Sequence, residues 1–224
     1  MRLATVTDSL LAELRITEIF FSLQGEARTV GLPTVFIRLT GCPLRCSYCD
    51  TTYSFTGGEK YTLTAIMQQV ADYGAKYVCV TGGEPLAQPN CLPLLTALCD
   101  AGYQVSLETS GALDVSQVDR RVSKVVDLKT PDSGEAHRNL YENMQHLTAN
   151  DQIKFVICSR QDYQWAKFKI DAYQLNQRVS DVLLSPSHQQ QDARELAEWI
   201  LADKLAVRLQ VQLHKYLWNN EAGH

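Results

Sequence analysis

The sequence predicts an α/β fold, a partial or irregular (β/α) barrel, and three observations carry that expectation. Short runs rich in Val, Ile, Leu, Phe and Tyr alternate with helical patterns along the 224 residues, and such alternation implies a mainly parallel sheet. The count of strand and helix units suits a partial barrel better than a full eight-unit barrel at this length. Polar and chemically reactive residues gather where the strand-like runs end, the edge at which β/α folds build their sites.

Residues 1–14 carry Arg2, Asp8 and Glu13 and no continuous apolar stretch with a small-residue cleavage site. They are expected to form a short extension, not a signal peptide, ahead of one domain over 15–224, with the cytoplasm as compartment. Strands are expected over 15–21, 34–39, 77–81, 104–108, 124–128, 152–157, 181–184 and 207–213. Thr62 is positioned to cap a helix whose Leu63, Ile66, Met67 and Val70 share one face. Asp192 is positioned to cap another, with Leu196, Ile200 and Leu201 turned inward. Residues 91–99 and 163–175 also read as helical. There is no repeat, low-complexity tract or linker.

Composition removes some functions. No apolar run approaches the roughly 18 residues of a membrane span. The net charge is −4 and no Lys/Arg block stands out, which argues against nucleic acid as a partner. Seven cysteines are an odd number, and three of them crowd together as Cys42, Cys46 and Cys49. In a reducing compartment such a group points to metal rather than disulfides. Cys79 and Cys158 lie in apolar strand-like runs and are expected to be inert core residues.

Cys42-Pro-Leu-Arg-Cys46-Ser-Tyr-Cys49 has the spacing C-x3-C-x2-C directly after a strand. Soft thiolates suit an iron–sulfur cluster or zinc. A closed zinc site needs a fourth ligand, but no fourth Cys or His lies near and no second C-x2-C pair follows. Three thiolates on a four-iron cluster leave one iron open for chemistry. Thr81-Gly82-Gly83-Glu84-Pro85 ends a later strand, and its glycines permit close approach to a ligand while Glu84 suits an ammonium group. Glu108-Thr109-Ser110-Gly111, Asp127-Leu128-Lys129 and Ser185-Pro186-Ser187-His188 end further strands. Each alone is an ordinary polar strand end; together they suggest one pocket.

The C-x3-C-x-aromatic-C pattern, with Tyr48 as the aromatic, resembles the signature of the radical S-adenosylmethionine (SAM) superfamily, and the Gly-Gly-Glu-Pro turn resembles its SAM-contacting element. Leu23-Gln24-Gly25-Glu26, the run Gly31–Leu39, Cys49-Asp50-Thr51 and Leu213-His214-Lys215-Tyr216 narrow the likeness to the 7-carboxy-7-deazaguanine synthase family, over nearly the whole chain beyond the extension. That resemblance implies a carbon–nitrogen lyase of queuosine and 7-deazapurine biosynthesis. SAM chelates the open iron, its reductive cleavage gives a 5′-deoxyadenosyl radical, and 6-carboxy-5,6,7,8-tetrahydropterin loses hydrogen at C6, contracts its ring and releases ammonia. It also implies Mg2+, a homodimer, and an electron donor such as flavodoxin or ferredoxin.

By the same resemblance Cys42, Cys46 and Cys49 hold the [4Fe–4S] cluster and Thr51 contacts Mg2+. Tyr48, Cys49, Asp50, Gly83, Glu84, Ser110, Asp127, Leu128, Lys129, Ser185, Pro186, Ser187 and His188 serve SAM. Leu23, Gln24, Gly25, Glu26, Arg38, Thr81 and His214 serve the pterin. Gln24 and Glu26 have the groups to bond its pyrimidine edge, and Arg38 to pair with its carboxylate. An Arg ending a strand is more often salt-bridged, and a His in a strand-like segment is more often structural; only the resemblance lifts Arg38 and His214 above that. The polar tail 218–224 departs from a family arrangement that brings a terminal carboxylate to the substrate, so His224 carries no assignment. Two rivals are an activase that installs a glycyl radical on a partner and a zinc-stabilised binding module.

Overall fold

The computed structural model describes residues 12–219, 221 and 223. Most of the expected extension, and His224, lie outside the described residues. Nine strands form one sheet in the order β3-β1-β2-β4-β5-β6-β7-β8-β9. The strands are β1 Glu13–Leu23, β2 Pro33–Leu39, β3 Glu59–Thr62, β4 Tyr77–Gly82, β5 Gln104–Thr109, β6 Ser123–Asp127, β7 Gln152–Ile157, β8 Asp181–Pro186 and β9 Arg208–Leu209. From β2 through β9 every pairing is parallel, whereas β1 runs antiparallel to both β2 and β3. The order does not close on itself, so the barrel is partial, as expected.

The helices are α1 Leu63–Asp72, α2 Cys91–Asp100, α3 Arg160–Ala172, α4 Leu175–Arg178, α5 Ala193–Ala202 and α6 Leu213–Trp218. Thr62 caps α1 by accepting from the Ala65 amide, and Asp192 caps α5 by accepting from that of Glu195. Each satisfies one of the orphan donors of a helix start. Leu63, Ile66 and Val70 are buried with β1, β2, β4 and β5 in one apolar cluster; α3 and α5 close a second over β6, β7 and β8. Leu201 is a correction: it is 74% exposed, because the buried stripe of α5 consists of Leu196 and Ile200.

Three further corrections bear on the site. The expected strand over 207–213 pairs with β8 only at Arg208 and Leu209. The chain then turns into α6, so His214 stands on a helix. Strand β1 begins at Glu13, with Leu14 in the core, so the sheet starts inside the expected extension. Cys158 is half-buried and its amide donates to Asp162, unlike Cys79, which is fully buried.

Candidate functional site

One cavity of about 580 Å³ opens at the C-terminal ends of the parallel strands. The end of β1 and the segment after it place Leu23, Gln24, Gly25 and Glu26 on one wall; Arg38 of β2 and Thr81 of β4 also line the cavity. The cluster loop adds Cys42, Cys46, Tyr48, Cys49, Asp50 and Thr51, and the turn after β4 adds Gly83. Ser110 follows β5, Asp127 ends β6 with Lys129 just after it, and Ser185 and Pro186 end β8 with Ser187 and His188 following. His214 of α6 closes the remaining side.

The cluster loop is held from two directions. The Glu84 amide donates to the Gly41 carbonyl at 2.8 Å, and the Ser47 amide to that of Ser133 at 3.0 Å. Gly83 must be glycine: a Cβ there would lie 2.3 Å from the Gly41 carbonyl oxygen. Two assigned residues are absent from the cavity wall. Glu84 is fully buried, and its carboxylate accepts from Leu86 N, Thr109 Oγ1, Ser110 N and Ser110 Oγ. It therefore braces the turn against β5 rather than facing an ammonium group. The Leu128 side chain is also fully buried, in the second apolar cluster, because strand alternation turns it away from Asp127 and Lys129.

A chain of charges runs across the floor. Lys154 of β7 lies 2.6 Å from Glu26 and 3.8 Å from Asp127, which in turn lies 2.9 Å from Lys129. Burial alone would raise the Glu26 carboxyl, but Lys154 and Gln212 outweigh it and hold it below the ordinary range. Burial would lower Lys154; Glu26 and Asp127 raise it instead, so it stays cationic. Glu108 accepts from Thr81 Oγ1 at 3.0 Å and Gln24 Nε2 at 3.4 Å. Burial first, then the charge of Glu26, push it above the ordinary value. Arg38 donates through Nε to Glu18 at 2.6 Å.

The side formed by α6 is tied to both loops. Gln212 donates to Glu26 at 2.8 Å and Asp50 at 3.2 Å, and Lys215 pairs with Asp50 at 2.8 Å. The His214 ring packs on Gly25, where a Cβ would lie 2.0 Å from its Nδ1. Burial lowers its pKa. Thr51 Oγ1 donates to Asp50 at 2.9 Å.

The wall is short of polar partners. Tyr48 OH and Asp127 Oδ1 are buried without a hydrogen-bond partner among the described residues, and such groups cost stability unless something polar meets them. The thiols of Cys42 and Cys46 are raised by burial, the latter to about 11. Among the described residues no three His, Cys, Asp or Glu side chains converge as the ligand set of a single ion. A cubane, whose irons occupy separate corners, takes its thiolates from a wider triangle.

Sequence reasoning missed Glu18, Tyr53, Glu108, Lys154, Gln212 and Lys215, all on the cavity wall. Two had a readable signal: Glu108 sits at a strand end already singled out, and Lys154 is a charge inside an apolar strand. Of the others, Tyr53, Gln212 and Lys215 depend on how a 3₁₀ turn and α6 fold back and Glu18 on an irregularity in β1, which no local pattern announces.

Residues 36–133 match the family model of the radical SAM superfamily. A 7-carboxy-7-deazaguanine synthase of Chlorobaculum tepidum is 45% identical, covering 94% of this chain and 97% of that protein. One from Koribacter versatilis is 42% identical, covering 93% and 98%. The crystal structure of QueE from Escherichia coli superposes with a TM-score of 0.75 at 25% identity, covering 90% of this chain and 95% of that one.

Proposed function

Since the chain belongs to the 7-carboxy-7-deazaguanine synthase family of the radical SAM superfamily, we propose that it converts 6-carboxy-5,6,7,8-tetrahydropterin to 7-carboxy-7-deazaguanine with loss of ammonia. The observation that carries this reading is a single cavity lined at once by the three loop cysteines and by Gln24, Glu26, Arg38, Thr81 and Glu108. Cys42, Cys46 and Cys49 would hold a [4Fe–4S] cluster. When bound, cluster and SAM supply the electron and the carbon radical that removes hydrogen from the pterin.

The chain's own residues do the rest. Lys154 keeps Glu26 ionised, so that Glu26 accepts from ring N–H groups, while Gln24 and Thr81 orient Glu108 beside it. Arg38 takes the carboxylate, and His214 covers the ring from α6. Asp127, Lys129, Tyr48, Ser110 and the segment Ser185–His188 receive SAM, with Asp127 Oδ1 and Tyr48 OH as acceptor and donor still to be met. Glu84 and Leu128 support that wall from behind. Thr51, beside Asp50, contributes an oxygen to Mg2+. A flavodoxin or ferredoxin as reductant, a homodimer and a cytoplasmic location complete the reading. No helix among the described residues is long and apolar enough to cross a membrane.

The test is anaerobic: the reconstituted, reduced chain is incubated with SAM and the carboxylated pterin. Formation of 7-carboxy-7-deazaguanine is expected. SAM cleavage without that product would refute the assignment.

A further inference from the structure

Strand β1 contains an irregularity that changes which of its side chains face the cavity. Ile16 pairs with Leu39 and Glu18 with Arg38, so β1 advances two residues while β2 advances one. Leu14 and Ile16 lie in the apolar cluster with Val35, Ile37 and Leu39. Uninterrupted alternation would put Glu18 on that same buried face. The bulge at Thr17 turns it over, and bulges beside sites commonly re-aim a side chain in this way. Ile19 then rejoins the apolar cluster while Glu18 and Phe20 face the cavity.

So placed, Glu18 Oε1 accepts from Arg38 Nε at 2.6 Å and from Tyr53 OH at 2.8 Å. The Arg38 guanidinium carbon also lies 5.9 Å from the Phe20 ring centre and 5.8 Å from that of Tyr53. A guanidinium held at Nε and flanked by rings has its plane and direction fixed. The two terminal nitrogens are the fork that takes a carboxylate in two parallel bonds. An arginine without such a hold retains rotamer entropy that binding must remove.

We propose that Glu18, turned into the cavity by the β1 bulge, is a positioning residue that sets the Arg38 fork for a carboxylated pterin and so determines preference for the carboxylate. The inference rests on the reading of Arg38 given above. Tyr53 shares the same Glu18 oxygen and links this setting to the loop that follows the cysteines.

The test is equilibrium binding to the cluster-loaded full chain of two probes, 6-carboxy-5,6,7,8-tetrahydropterin and tetrahydropterin, which lacks the carboxylate. Glu18→Ala should weaken the carboxylated probe about tenfold or more, the scale of a charge-assisted contact, and move tetrahydropterin less than about twofold. Glu18→Gln keeps an acceptor for Nε and should stay within about threefold of the parent for both probes. If Glu18→Ala does not fold, Glu18→Asp, too short to reach Nε, should give the same selective loss. Unchanged or tighter binding of the carboxylated probe, or equal loss of both probes, overturns the role of Glu18. Failure of the parent chain to bind either probe overturns instead the proposed substrate, and a parent-like preference in Arg38→Ala overturns the Arg38 reading beneath it.

Discussion

Burial pushes the Cys46 thiol up to about 11, against the pull of Lys129, so a metal must displace a proton to bind there. Cys46→Ala should abolish iron and sulfide retention while leaving the circular dichroism and unfolding midpoint near those of the parent. A variant that kept its iron would remove Cys46 from the ligand set. Arg38→Ala should keep the cluster and weaken pterin binding by roughly 1.5–3 kcal/mol, the range for a hydrogen bond to a charged group, read as a change in Kd. Glu108 gives a pH prediction. Its folded pKa lies above the ordinary 4.5, chiefly through burial, so the folded state holds its proton longer than the unfolded chain. The stability it contributes is complete below about 4.5 and is lost as pH rises through the folded value. Glu108→Gln should flatten that part of the stability–pH profile; an unchanged slope would contradict it. Of these residues the cysteines and Arg38 were legible from spacing and resemblance. Glu108 gained its role only when Gln24 and Thr81 were brought to it from other strands.

The turn after β4 and helix α6 are the elements on which the cavity's shape depends. At Gly83 the clash of an added Cβ would be with backbone, the Gly41 carbonyl, which cannot swing aside as a flexible side chain can. Gly83→Ala should displace the cluster loop and lower cluster occupancy, measured as iron per chain; full occupancy would contradict the close packing. At Gly25 the clash is with the His214 ring. Gly25→Ala should therefore loosen α6, raising hydrogen exchange there while β4 to β8 stay protected. Equal protection of α6 in parent and variant would show that it is not held by that contact. The expected strand over 207–213 missed α6 because six residues give too little periodicity to separate helix from strand, and tertiary bonds decide. The Leu213 amide donates to the Gly25 carbonyl and Lys215 to Asp50. The capped helices α1 and α5 were legible because their caps and apolar stripes are local. The bulge in β1 was not, since Thr17 and Glu18 read equally well in either register.

Across the whole molecule, parallel strands β2 and β4 to β8 deliver polar ends to one rim, while the antiparallel β1 ends beside the start of β2, so that Leu23–Glu26 line the cavity from the opposite end of the strands. The partial barrel was legible because alternation and strand-end chemistry are written in order along the chain. The charged floor was not, because Glu26, Lys154 and Asp127 come from three distant segments. That floor stands beside the three thiols, and the central claim is that these hold a four-iron cluster with one iron open to SAM. Electron paramagnetic resonance of the anaerobic, reduced chain, recorded before and after adding SAM, tests this most directly. A cubane signal whose shape changes on adding SAM is predicted. No cubane signal, or one indifferent to SAM, would contradict it.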